Sequence, residues 1–346
     1  MAESRPQMVV DPGWYNETDN DSVLSSEPAS STTSLSASIL DYRKLHGRTY
    51  QNFNTGTEYW GPNDERQNEA LDLTHHMLYI ALDDKLFLAP IGENPQRVID
   101  IGTGTGIWAI DFADQFPSAE VIGTDLSPIQ PSWVPANCRF ELDDAQLPWA
   151  YPDNHFDYIH IRCLMGSITD WPALYREIHR CLKPGGWFEH QDYSIDVVSD
   201  DDSVPKGSPL DGWGALFQEA GDRMGRTFNI IENGRNVEWF KGAGFERIGT
   251  HRFKLPLGGW PADPKWKEVG QYNLTIVDES LEGYVLFLLT NVMGWDYAKV
   301  QAFIAETRKT LRDRSMHAYC DVGTVWGQKA AVTADPETET APTTTA

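Results

Sequence analysis

Residues 97–110 read RVIDIGTGTGIWAI. Three β-branched apolar residues, Val98, Ile99 and Ile101, run into glycines at alternate positions, Gly102, Gly104 and Gly106. A helical pattern follows at once. Such a segment has to turn sharply from a buried strand into a helix, and glycines there let a ligand approach bare backbone. The spacing is G-x-G-x-G. Ile107 stands where the dinucleotide fingerprint G-x-G-x-x-G has its third glycine.

From residue 97 to about 193 the pattern alternates strand and helix. VIDI, AEVIGTDL, CRFELDDA and FDYIHIRC read as strands, and PGGWFEHQD as a fifth. GIWAIDFADQF and WPALYREIHRCL read as helices, the second with Leu174, Ile178 and Leu182 on one face and a proline in its first turn. Apolar strands separated by helices predict a parallel sheet covered on both faces. Ligands of such sheets bind at the carboxyl ends of the strands.

Residues 209–244 have helical spacing, 245–260 return to strand, and two further helices are expected near 265–279 and 295–314. The last strand is HAYCDVGTVWGQK. Helices inserted after the fifth strand, about 205–240 and 262–315, predict a lid over the ligand site. The sheet with its inserted helices is placed at 97–330 and an N-terminal helical cap at 41–96. Tails at 1–40 and 331–346 are too poor in bulky apolar residues to offset their ordering entropy, and are expected to be disordered.

A net charge of −23 excludes a nucleic-acid surface, which needs lysine and arginine. The four cysteines are widely spaced with no C-x-x-C, which predicts neither a disulfide frame nor a zinc site. No metal is expected. The N-terminus lacks the apolar core of a signal peptide, and the run YVLFLLTNVM is too short to cross a bilayer. The expectation is a soluble protein of the cytoplasm or nucleus, with no membrane partner.

The acids near the turn discriminate between ligands. A pyrophosphate wants a helix N-terminus. S-adenosylmethionine has no pyrophosphate and wants a tight turn at its amino-acid end and carboxylates for its ribose and amine. Asp100 lies inside the first strand, Asp125 closes the second, and Asp143 and Asp144 follow the third. In that order they suit the amine, the ribose hydroxyls and the adenine edge, with Leu126 beside Asp125. Each has a plainer use as a cap or turn residue. An NAD-dependent oxidoreductase is the weaker alternative, because of Ile107 and the lack of a Tyr-x-x-x-Lys pair.

The stretch from VIDIGTGTG to ELDDA, with FDYIHIRCLMGS and LYREIHRCLKPGGWFEHQD, resembles the LaeA-like branch of fungal class I S-adenosylmethionine-dependent methyltransferases. HGRTYQNF and EYWGPNDERQNEALDLTHHML share the likeness, which spans about 42–330. The resemblance implies an α/β, Rossmann-like seven-stranded sheet with the last strand reversed. It also implies a role in secondary metabolism: either methylating a small molecule, or regulating gene clusters from the nucleus through velvet-type partner proteins.

Methyl transfer from a sulfonium is an in-line displacement, so the protein mainly aligns and excludes water. A base is needed when the acceptor must lose a proton. Candidates are His75, His160 and His190, with His76 and Asp192 as neighbours of two of them. His75 follows Asp72 by one helical turn, so the carboxylate is expected to orient the imidazole. Arg162 shares a strand face with Tyr158 and His160 and is a cofactor-side candidate. The segment from His46 to Leu78 carries Tyr50, Phe53, Tyr59, Trp60 and Leu71, too apolar for a linker. It is expected to form part of the active site, with Arg48 and Tyr50 over the methionine end. Of the lid tryptophans, Trp213, Trp239, Trp260, Trp266 and Trp295, one or two are expected to line the mouth.

Overall fold

The computed structural model describes residues 7–14, 41–52 and 57–331. The expected tail at 331–346 lies almost wholly outside these, as do most of 1–40 and Phe53.

The glycine turn sits at the centre of a seven-stranded sheet. Its strands are β3 (Arg97–Ile101), β4 (Glu120–Asp125), β5 (Cys138–Leu142), β6 (Phe156–Arg162), β7 (Leu182–Tyr193), β8 (Glu246–Pro256) and β9 (Tyr319–Gln328). The order is β5-β4-β3-β6-β7-β9-β8. The first five pair in parallel, while β9 enters between β7 and β8 and runs antiparallel to both. This is the class I methyltransferase topology with its reversed last strand. The order switches direction between β3 and β6, where a ligand crevice is expected.

Side-chain alternation assigns the two faces. Val98, Val121 and Tyr158 pack under Trp108 and Phe112 of α2 (Ile107–Gln115). Ile99, Ile159 and Ile161 pack with Tyr175 and Ile178 of α3 (Trp171–Cys181) on the other face. Asp170 caps α3 by accepting from the Ala173 amide at 2.8 Å, with Pro172 in the first turn.

The predicted 209–244 helix is two helices with different employment. Gly225, at φ +66°, ends α4 (Trp213–Met224), which joins the lid core. After a break at Asn233 and Gly234, both with positive φ, α5 (Arg235–Gly242) stacks Phe240 on Phe188 beneath the sheet. So α5 belongs to the sheet layer, not the lid. The lid is α4 with α6 (Pro264–Phe287) and α7 (Tyr297–Leu311).

The N-terminal cap opens on a hairpin, β1 (Arg43–Leu45) and β2 (Arg48–Tyr50), not on a helix. Gly47 at φ +87° makes its turn. Then α1 (Glu65–Ala81) packs Ala70, Met77 and Leu78 against α6 and β8. Residues 7–14, expected in the disordered tail, are placed: Val10 bridges Pro261, and Trp14 is buried with Trp260 and Tyr319. An aromatic anchor of that size explains why eight residues of a polar tail order. Among the described residues, no helix is long and apolar enough to cross a membrane, and no group of side chains could hold a metal ion.

Candidate active site

A cavity of about 320 Å³ lies at the carboxyl ends of the parallel strands, roofed by the cap and the lid helices. Its floor carries the turn and the acids together: Asp100, Gly102, Gly104, Asp125, Leu126, Asp143, Asp144 and Arg162. Four strands, distant in sequence, meet there because the sheet order reverses between β3 and β6.

The three glycines have three different reasons. A Cβ on Gly102 would meet Leu164 at 2.5 Å, and one on Gly106 would meet the Phe140 ring at 2.2 Å. Gly106 does not line the cavity; at φ +84° it turns the chain into α2. It is corrected from ligand contact to turn residue. Gly104, at φ +59°, has only Leu71 within reach, at 3.4 Å, so it is the bare backbone a ligand would meet.

Asp125 accepts from the Gly104 amide at 2.8 Å and the Ser127 amide at 2.9 Å. Burial nevertheless pushes its carboxyl up to about 6. Asp100 is held from both sides, accepting from His160 Nδ1 at 2.7 Å and Thr103 Oγ1 at 2.6 Å. Asp143 accepts from the Asp144 amide at 2.8 Å. Asp144 accepts from the Gln146 amide at 3.0 Å through Oδ1, while its buried Oδ2 has no partner in the protein. A carboxylate oxygen shut from water and unpaired wants a donor. It lines the cavity.

The cap runs along this trench in order. Thr57 Oγ1 accepts from Gln146 at the Asp144 end, at 3.3 Å. The Asn63 side chain donates to Ser127 Oγ at 3.2 Å, beside Asp125. Leu71 stands over Gly104, and His75 meets Arg162 at 3.1 Å. Asp64 caps α1 and is gripped by Arg48 at 2.5 and 2.8 Å. Arg48 and Tyr50 therefore do not cover the methionine end. Tyr50 is fully buried between the cap hairpin and the lid, its ring 5.9 Å from Phe287, and it does not line the cavity.

Beyond the trench the cavity becomes aromatic and apolar. Trp60, Tyr193, Leu210, Trp213, Phe217 and Tyr284 wall this lobe, with Asn273 and Cys320 among its other residues. Burial pushes Tyr284 up to about 12, and Cys163 and Cys320 likewise to about 12, so these groups stay protonated at neutral pH. Of the lid tryptophans only Trp213 lines the cavity. Trp239 stacks on Trp171, Trp260 lies with Trp14, Trp266 on Phe253 and Trp295 on Phe303.

A family model described as a methyltransferase domain matches residues 73–248. Methyltransferase pytC of Aspergillus terreus is 40% identical over 302 residues, covering 87% of this chain and 92% of that protein. The chain belongs to the LaeA-like methyltransferase family. Its other relatives include the secondary metabolism regulator LAE1 of Cochliobolus heterostrophus, 37% identical over 80% of this chain and 91% of that one. Secondary metabolism regulator laeA of Aspergillus fumigatus is 34% identical, covering 79% of this chain and 73% of that one.

In this methyltransferase none of the three candidate histidines lines the cavity. His75 donates through Nε2 to Asp111 at 2.9 Å, so the orienting carboxylate is on α2; Asp72 instead accepts from Thr105 Oγ1 at 2.6 Å. Arginine only donates, so His75 Nδ1 must accept from Arg162 and the ring is neutral. Burial lowers its pKa accordingly. His160 is stacked flat on Trp108 at 3.8 Å and donates to Asp100, its pKa also lowered by burial. His190, fully buried under the sheet, donates to Asp192 at 3.3 Å and accepts from Tyr175 OH at 2.7 Å. All three are corrected from acid–base candidates to groups that hold Arg162, Asp100 and the sheet core. Among the polar lining residues missed are Thr57, Asn63, Gln67 and Thr74. Their signal was present: Asn63, Gln67, Leu71 and Thr74 recur at helical spacing on one face.

Proposed function

We propose that this methyltransferase takes S-adenosylmethionine in the trench and transfers its methyl group to a small, flat, partly apolar molecule in the aromatic lobe, in fungal secondary metabolism. The observation that carries the reading is one continuous cavity with two chemistries. An acid-lined trench along a glycine turn leads into an aromatic lobe.

The residues fit the cofactor. Asp125 stands where a ribose would present two hydroxyls, Asp144 Oδ2 lacks the donor an adenine amine would supply, and Gly104 leaves room at the amino-acid end. When bound, the cofactor supplies an electrophilic methyl group on a sulfonium. With the cofactor held by Asp125, Asp144 and the Gly104 backbone, its methyl group would face the aromatic lobe, where an acceptor in line with the sulfonium would take it as the carbon–sulfur bond gives its electrons back to sulfur. The aromatic walls hold the acceptor's plane and keep water from the sulfonium. The aromatic, mainly apolar lining that α4, α6 and the cap give this lobe supports a small molecule as the acceptor.

Calorimetry with S-adenosylmethionine and with NADH tests the cofactor assignment. Micromolar binding of the first and none of the second is expected. The reverse outcome would return the glycine turn to dinucleotide chemistry.

A further inference from the structure

The cap carries a buried polar atom with no partner in the protein. Asn63 precedes the N-cap of α1, is 6% exposed and lines the cavity. Its amide nitrogen is spent on Ser127 Oγ, while its Oδ1 is buried without a partner in the protein. A buried amide oxygen left unpaired costs free energy unless a ligand supplies a donor. Its position says which part of a ligand that is. Thr57 marks the Asp144 end of the trench, Leu71 the Gly104 end, and Asn63 lies between them beside Ser127. Ser127 in turn donates its amide to Asp125.

We propose that Asn63 is a cofactor-binding residue: its Oδ1 accepts a hydrogen bond from a ribose hydroxyl of the bound nucleoside, opposite Asp125. The inference rests on the S-adenosylmethionine reading. The ribose is then gripped from two directions, by a carboxylate on β4 and by an amide on the cap, so cofactor binding draws the cap onto the sheet. The backbone of Asn63 is independently tied, its amide donating to Thr49 O at 2.8 Å, so the side chain can change without releasing the segment.

The test is calorimetry on the full chain with S-adenosylhomocysteine and its 2′-deoxy and 3′-deoxy analogues. Asn63→Ala should weaken S-adenosylhomocysteine about tenfold, the loss of one buried hydrogen bond. Asn63→Leu, which keeps the packing volume, should do the same. Neither variant should lose affinity for whichever deoxy analogue lacks the hydroxyl that Asn63 reads. Unchanged binding of S-adenosylhomocysteine by both variants, or equal losses on all three ligands, would overturn the assignment. A wild-type chain that bound none of the three would instead overturn the cofactor reading on which it rests.

Discussion

Asp125 is a carboxylate whose useful form is not its easiest form. Burial raises it to about 6, while the two amides it accepts from pull the other way. Only the ionised group can accept from both hydroxyls of a ribose while keeping those amides. Protonation is favoured as pH falls through 6, so cofactor affinity should be flat above pH 7 and fall toward tenfold per pH unit below about 5.5. Asp125→Asn should lose about 2 kcal/mol of affinity at pH 7.5 and lose the pH dependence with it. Titrations at pH 5, 6 and 7.5 check both. A wild-type affinity unchanged between pH 5 and 7.5 would show that Asp125 does not bind the ligand as a carboxylate. This residue was legible in the sequence, because a strand end places its last side chain predictably. The histidines were not. Whether an imidazole faces a cavity or a neighbour depends on partners such as Asp111 and Tyr175, which no spacing along the chain reveals.

The sheet elements were legible because burial on both faces forces apolar strands, and glycine turns and prolines mark their limits. The lid was less so. Helical spacing continues across 209–244, yet Gly225 and Gly234 take positive φ and part α4, which joins the lid core, from α5, which packs against the sheet. Which layer a helix joins is a tertiary decision. The N-terminal clasp was hidden for a related reason, since one tryptophan among polar residues gives no period to read. Trp14 nevertheless fills a buried cluster with Trp260 and Tyr319, Arg314 stacks on its ring at 5.2 Å, and Asp11 pairs with Lys267 at 2.9 Å. Removing residues 1–14 should therefore expose about one large aromatic's worth of surface, or about 2 kcal/mol. The unfolding midpoint should drop by about 3 °C while S-adenosylhomocysteine affinity is retained, because no residue of 7–14 lines the cavity. Differential scanning calorimetry with and without ligand measures both. An unchanged midpoint would mean that the clasp contributes nothing.

At the scale of the molecule, the reversed sheet order, the cap and the lid helices serve one geometry. β3 to β6 bring the acids to one edge, α1 lays Gln67, Leu71 and Thr74 along them, and α4 with α6 walls an aromatic chamber at the far end. Relatives with similar sequences carry two kinds of name, methyltransferase and secondary metabolism regulator. The aromatic lining of the chamber favours chemistry on a small molecule. The direct measurement is to incubate the chain with methyl-tritiated S-adenosylmethionine and a fungal extract split into organic-soluble and macromolecular fractions. Label should enter the organic-soluble fraction with the wild-type chain, and fall to background with Gly104→Val, whose side chain blocks the trench. Label confined to the macromolecular fraction, or equal transfer by the Gly104→Val chain, would contradict the account.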